Sequence, residues 1–432
     1  MKFIFADCLD YVDPNYDFES DSSPPERKPY WDDQFPHEIM GTPPYDGILV
    51  SRAIVGDHLF KGKYTESQAM RFRRIGAREF LRFNRPEDKD KWLFGDSGAF
   101  QYVNLPEPPY TPMDMAEFYF DGGFTHGCSI DHIIFQFETN LKGTELPNDP
   151  KVAENCKMRF DITLDKAEGF LKESRQVCNN FTPLGVVQGW SPGSMADAAS
   201  QLIKMGYDYL AIGGLVPLKI DDIHKALTAI FDKIGYSTAS KIHLLGFEKA
   251  NLLDQFIGRY PITSIDTTSP LLKAFKDDKK NFYLNNGKGG IDFYTSIRIP
   301  QATDNLALKR SVQSGLFRQE EVITLEQNAL KSLRQYAKRQ IDIEEVLKVV
   351  LEYSRVFLVA KKTKPERLQR AIDMLSEDYR RTLTVRPWEL CNCSICKSCS
   401  VEVIIFRASN RNKRRGIHNL KQFHDYLIEK RG

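Results

Sequence analysis

Three cysteines and one histidine carry the sharpest chemical signal in this 432-residue chain. Cys391-x-Cys393-x2-Cys396 brings three thiols close together, and His418 follows further along. Soft thiolates with one imidazole make the tetrahedral set that Zn²⁺ prefers in closed structural sites. One Zn²⁺ held this way would staple a segment that has little core of its own. Cys399 is then a spare thiol, and His424 is the alternative fourth ligand. A second group of residues stands at the ends of short apolar runs. Asp96 follows Trp92–Phe94, Asp131 lies within Ser129–Ile134, and Gln188-Gly189 follows Leu184–Val187. Gly213-Gly214-Leu215 follows Tyr209–Ile212, and Asp266 follows Thr263–Ile265. Taken singly, a strand-end Asp is usually a helix cap or turn former. Phe100, taken singly, is an ordinary core residue. Three carboxylates, an amide and exposed backbone on one rim are suited to gripping a planar polar ligand.

Such a rim needs parallel strands that end on one side. Apolar, β-branched runs recur at Phe3–Phe5, Gly47–Ser51, Trp92–Phe94, Ser129–Ile134, Leu184–Gln188, Tyr209–Gly213, Ile242–Gly246 and Thr263–Asp266. Helical patterns separate several of them: Ser67–Phe83, Ala153–Val177, Ser194–Met205, Ile220–Ile234 and Lys249–Tyr260. Strands alternating with helices imply an α/β fold with parallel strands. Eight of them favour a (β/α)8 TIM-type barrel, whose functional groups gather at the C-terminal ends of the strands. No Gly-x-Gly-x-x-Gly loop or phosphate-binding P-loop occurs.

The expected organisation is a catalytic barrel over 1–310 with an irregular acidic segment at 10–46. A helical insert over 311–387 follows, and then a basic zinc-binding subdomain over 388–432 that ends in a helix. Residues 278–303 read as a long loop or hairpin, with turns at Asn285, Asn286, Gly287, Gly289 and Gly290. The chain has no apolar run near the ~18 residues a membrane span requires. The start, MKFIFADCLD, lacks a cleavable apolar stretch. Cys8, Cys128, Cys156 and Cys178 are scattered singly, which fits a reducing, cytoplasmic setting better than a disulfide framework. The net charge of +2 conceals an asymmetry. Residues 1–50 hold 3 Lys/Arg against 11 Asp/Glu, and residues 361–432 hold 17 against 8. A basic tail that shares its segment with a metal knuckle is a nucleic-acid footprint.

The motifs resemble those of the tRNA-guanine transglycosylases, in the same order over residues ~90–425. Asp96-Ser97-Gly98-Ala99-Phe100-Gln101, Gly185-Val186-Val187-Gln188-Gly189-Trp190, Ile212-Gly213-Gly214-Leu215 and Ile265-Asp266-Thr267 carry the barrel part. Cys391-x-Cys393-x2-Cys396 with His418-Asn419-Leu420 carries the zinc part. There are departures. Ala99 and Trp190 stand where that family has glycine, and Ser269-Pro270-Leu271-Leu272 replaces the bacterial Leu-Pro-Thr-Arg run. A shifted register would put Ser269, which cannot serve as nucleophile, at the place of Asp266. Phe5-Ala6-Asp7, Gly47-Ile48-Leu49-Val50-Ser51-Arg52 and Ser129-Ile130-Asp131-His132-Ile133 are most similar to the DpdA-type branch, which places 7-cyano-7-deazaguanine (preQ0) into DNA.

The resemblance implies replacement of guanine by a 7-deazaguanine through a covalent glycosyl-aspartate. It implies Asp266 as nucleophile and Asp96 as general acid/base. It places Ser97, Phe100, Asp131, Gln188, Gly189, Gly214 and Leu215 around the base. Asp131 would take the N1–H and 2-amino edge, Gln188 and the Gly214 backbone the O6 side, Phe100 a ring face, and Leu215 the 7-substituent. DNA is the expected partner, and the family suggests a role for an accessory protein that opens or nicks the duplex. tRNA as substrate, or a catalytically silent nucleic-acid-binding subunit, are the alternatives.

Overall fold

A computed structural model describes residues 1–177, 180–236, 240–247 and 249–431, so that Cys178 lies outside the described residues. The chain divides into two compact units. The first comprises Met1–Leu9, Tyr45–Ser269 and Arg431, and the second holds Asp10–Pro44 and Pro270–Lys430.

The first unit is a closed parallel barrel. Its strands are β1 (Lys2–Ala6), β2 (Gly47–Ser51), β3 (Trp92–Asp96), β4 (His126–Cys128), β5 (Thr182–Val187), β6 (Tyr209–Ile212), β7 (Lys241–Leu244) and β8 (Ser264–Asp266). They pair in sequence order, and β1 closes on β8 with Phe3 opposite Ile265. Helices Glu66–Phe80, Pro112–Gly122, Pro150–Val177, Pro192–Met205 and Ile220–Ile234 cover the crossovers. The (β/α)8 expectation holds, with two local differences. The helix expected over Lys249–Tyr260 is only a 3-10 turn, Ala250–Gln255. Gly258, in the left-handed region at φ +77°, and Pro261 break the helical pattern there.

The second difference is β4, which lies at His126–Cys128 rather than Ser129–Ile134. The ring of Tyr119 lies close against the backbone of Gly95 and Gly127, where an added Cβ would come within 2.1 and 2.5 Å of it. Its hydroxyl donates to the Cys128 carbonyl at 2.8 Å. The strand is therefore set by a glycine and a helix-borne tyrosine, not by apolar bulk. Ile130, Ile133 and Ile134 are buried in irregular chain beyond the strand end.

Inward-facing residues fill the barrel: Ile4, Leu49, Phe94, Cys128, Leu184, Val186, Tyr209 and Ala211 form one cluster. Two imidazoles share this interior. The His126 ring stacks on Phe94 with centroids 4.6 Å apart, and His243 lies 5.1 Å from the same ring. Burial, and then the neighbouring His243, push the His126 pKa down to about 3.

In the second unit, strands β9 (Phe282–Asn285) and β10 (Ile291–Tyr294) form the antiparallel hairpin expected near 278–303. Helices Gln319–Ala337, Ile343–Ala360 and Pro365–Val385 follow. Their apolar faces share one core with the cysteine-bearing segment and the last helix, Ser409–Glu429, including Leu333, Val346, Tyr353, Trp388, Ile395 and Ile417. Residues 10–44 are mostly irregular, tied by a bridge between Val12 and Gln34. Among the described residues no helix is long and apolar enough to cross a membrane.

Candidate active site

The C-terminal ends of the barrel strands surround a cavity of about 400 Å³. Its wall includes Asp96, Asp131, Gln188, Gly214 and Asp266, with Phe100 at the edge. Sequence position scatters these groups over 170 residues, and parallel strands with a common direction bring their ends to one mouth.

Asp96 ends β3. One of its oxygens, Oδ2, accepts from Ser51 Oγ at 2.9 Å and from the Gly98 amide at 3.0 Å. Burial raises its pKa; the Ser51 hydrogen bond opposes the rise, and the negative charge of Asp266 adds to it. Asp131 is 2% exposed and is held by Gln188 Nε2, which donates to Oδ2 at 2.7 Å. Its other oxygen, Oδ1, is buried with no hydrogen-bond partner among the described residues. Burial, reinforced by the Asp96 charge, lifts the Asp131 pKa to about 7. A buried carboxylate oxygen in a cavity wall is placed to accept from a donor that enters the cavity, an ordered water or a ligand.

Gln188 Oε1 accepts weakly from the Ile134 amide at 3.4 Å, so its amide group is fixed at both ends. Gly213 is required by this arrangement, because a Cβ there would stand 2.5 Å from Gln188 Nε2. Asp266 ends β8, and its Oδ1 accepts from the Gly246 amide at 2.7 Å. Ser269, the shifted alternative, is not among the lining residues.

Three expected residues stand back from the wall. Ser97 is fully buried and bonds the Tyr102 hydroxyl at 2.7 Å. Gly189 packs against Met195 and Ser194. Leu215 is 1% exposed and does not line the cavity, where Val216 does. Two residues that carry no functional signal in the sequence stand beside these groups without lining the cavity. Phe135 is 54% exposed beside Phe100, which is 59% exposed, with ring centroids 6.5 Å apart. His243, on β7, bonds Asp266. Alternation along β7 turns His243 inward, where it faces Ser264 across the pair, but gives it no role.

No family model matches the chain. It is 39% identical over 429 residues to a DNA-guanine transglycosylase of Salmonella montevideo, a match covering 99% of this chain and 96% of that protein. The chain belongs to the DNA-guanine transglycosylases.

In this member of the family, the cysteine group lies in the second unit. The ligand atoms of Cys391, Cys393, Cys396 and His418 all lie within 4.8 Å of one another. His418 Nδ1 stands 3.6, 3.4 and 3.4 Å from the three sulfurs in that order. The donor set fits a metal ion. His418 Nε2 bonds the Tyr283 carbonyl at 2.6 Å, which turns Nδ1 toward the thiols and fixes the tautomer a metal needs. The Cys393 and Cys396 thiols hydrogen-bond Cys391 and hold it far below the ordinary thiol range. Gln422 Nε2 adds a contact to the Cys391 sulfur at 3.4 Å. His418 closes the group, and His424 is not part of it. Cys399 is buried outside it, against Ser398.

Only the last-helix part of the basic tail departs from the footprint expected of it, while Lys361, Lys362, Arg367, Arg370 and Lys397 are exposed. Arg411, Arg414 and Arg415 on the last helix are 0–4% exposed. Arg411 pairs with Asp21 and Glu402, and Arg407 pairs with Asp21 and Glu326. Arg414 donates to the Asp13 carbonyl at 2.6 Å. Arg415 donates to the carbonyls of Val403, Ile405 and Ala274, and burial pushes its pKa down to about 9. Asp21 of the acidic segment thus neutralises Arg407 and Arg411 of the basic run inside the second unit. These arginines are internal ties, closed to phosphate.

Proposed function

We propose that this chain replaces guanine in DNA with a 7-deazaguanine, preQ0, by double displacement at C1′. The observation that carries the reading is the meeting of Asp96, Asp131, Gln188 and Asp266 on one cavity wall. The family relationship supports DNA over tRNA as the polynucleotide.

In the first displacement, an Asp266 oxygen bonds C1′ as the C1′–N9 bond breaks. Guanine leaves with that electron pair and takes a proton from Asp96. In the second, N9 of the incoming base attacks C1′ and releases Asp266, and its proton passes to Asp96. Each step inverts the sugar, so configuration is retained overall. The raised pKa of Asp96 suits it to the acid role, and the returning proton resets it. Asp131 accepts from N1–H and the 2-amino group, and Gln188 and the Gly214 backbone take the O6 side. Phe100 stacks on the base, and Val216 takes the wall position expected of Leu215 near the 7-substituent.

The target base must leave the duplex to reach this cavity, a step that costs a few kcal/mol. An accessory protein that opens or nicks the duplex would relieve that cost. The Cys3His group holds one structural Zn²⁺, and the enzyme works in the reducing cytoplasm, where its cysteines stay out of disulfides.

The test uses purified protein, a guanine-labelled duplex and preQ0, with the wild type beside Asp266→Ala and Asp96→Ala. Label release by the wild type and none by Asp266→Ala is expected, and undiminished release by Asp266→Ala would sink the assignment. Mass spectrometry of DNA and tRNA nucleosides from expressing cells separates the substrates. A deazaguanine found only in tRNA defeats the DNA reading.

A further inference from the structure

Beneath the cavity floor, a line of polar groups runs through the largely apolar barrel interior. Tyr209 Oη lies 2.6 Å from Ser264 Oγ, which lies 2.7 Å from His243 Nδ1, and His243 Nε2 lies 3.0 Å from Asp266 Oδ1. Tyr209, His243 and Ser264 are each 0% exposed. A buried polar group is costly unless it is satisfied, and a satisfied network holds one arrangement.

Hydrogen-bond direction follows from counting protons. A carboxylate only accepts, so His243 turns its Nε2 proton toward Asp266 and the neutral ring accepts at Nδ1 from Ser264, whose oxygen is left to accept from the Tyr209 phenol. The Gly246 amide donates to the same carboxylate oxygen. Asp266 Oδ1 is thus tied twice.

Resting on the glycosyl-aspartate reading above, we infer that His243 is a positioning residue for Asp266: with the Gly246 amide it ties Oδ1, leaves Oδ2 to attack C1′, and favours departure of the carboxylate in the second displacement. In the first step Oδ2 bonds C1′ and Oδ1 becomes the carbonyl oxygen of a glycosyl ester. In the second, the Oδ2–C1′ bond breaks, its electron pair returns to Asp266, and the two donors meet a full negative charge again. Donors that bind the departing carboxylate more strongly than the ester lower the barrier to this step. The His243 proton stays on Nε2 throughout, so atoms and charge balance without another reactant. The Ser264–Tyr209 chain serves to hold that proton on the side facing Asp266.

The experiment follows the denaturant-stable protein–DNA adduct in single turnovers, with breakdown started by preQ0. His243→Phe removes the donor. His243→Gln keeps an N–H near the Nε2 position, while His243→Asn keeps one only near Nδ1. In His243→Phe and His243→Asn, adduct breakdown should slow roughly 10- to 100-fold, the effect of losing a hydrogen bond to a charged group. The adduct should then accumulate, with KM for preQ0 within about twofold of wild type. His243→Gln should recover most of the rate. Ser264→Ala, which leaves the donor present but its tautomer unfixed, should fall between them. A merely structural role would not separate Gln from Asn. Breakdown in His243→Phe at the wild-type rate, or equal rates for Gln and Asn, overturns the assignment while leaving the glycosyl-aspartate reading in place. Failure of the wild type to form any adduct overturns both.

Discussion

Gln188 and Asp131 are locked to each other across the barrel mouth: Gln188 Nε2 donates to Asp131 Oδ2 at 2.7 Å, and Oδ1 is left buried and unmet among the described residues. A carboxylate held by one oxygen presents the other in a fixed direction. Asp131→Asn should therefore reduce kcat/KM for base exchange by roughly 10- to 100-fold, chiefly through base recognition. Steady-state assays with varied preQ0 check this. Gln188→Leu, which frees Asp131 to turn, should lose activity in the same direction.

Asp131 also makes stability depend on pH. Its folded pKa of about 7 lies above the ~3.9 of an unfolded aspartate. Between pH ~4 and 7 the folded chain keeps a proton that the unfolded chain has released. Stability from this group therefore falls as pH rises through that window and levels off above it, by up to about 4 kcal/mol in all. Asp131→Asn should flatten the decline in Tm between pH 5 and 7, measured by calorimetry. Affinity for the free base should rise over pH 6 to 8 in the wild type, as the carboxylate forms, and stay level in Asp131→Asn.

Asp21 faces two buried guanidiniums, those of Arg407 and Arg411. Removing one partner of a buried ion pair leaves an uncompensated charge and typically costs about 3–5 kcal/mol. Asp21→Ala should lower the unfolding free energy by that amount, read from denaturant titrations as a lower midpoint at unchanged slope. Because these arginines are internal, the salt dependence of DNA binding should not change, which titrations at two ionic strengths would test.

Chelation, or Cys396→Ser, should cost the protein its metal and loosen the second unit, since binding energy at such sites is folding energy. Metal analysis should return one zinc per chain for the wild type. Cys399→Ser should keep that stoichiometry, and His418→Ala should lose it.

The barrel and its carboxylates were legible because the signals were local. Short apolar runs ending in Asp96 and Asp266 mark strand ends, and a parallel barrel converts strand ends into a single rim. The sequence places β4 too late because its signal is not apolar: Gly127 makes room for the ring of Tyr119, a neighbour seen only in three dimensions. His243 is silent in the sequence for a related reason. A lone imidazole in an apolar run reads as core, and its meaning depends on Ser264 and Asp266 arriving from another strand. The last helix misled most, because charge in a sequence has a sign but no burial. Arg411 and Arg415 look like solvent-facing cations until Asp21 and Glu402, or a set of backbone carbonyls, are found against them.

Those partnerships impose an order on biosynthesis. Asp21 is translated 386 residues ahead of Arg407. At about 5–20 residues per second, the acidic segment emerges roughly 20–80 s before its cations exist. The barrel segments made during that interval can close first. The second unit, by contrast, can be completed only once its last helix has been made, so ribosomal stalling ahead of that helix is a route to a nascent chain with a finished barrel and an unpaired acidic segment.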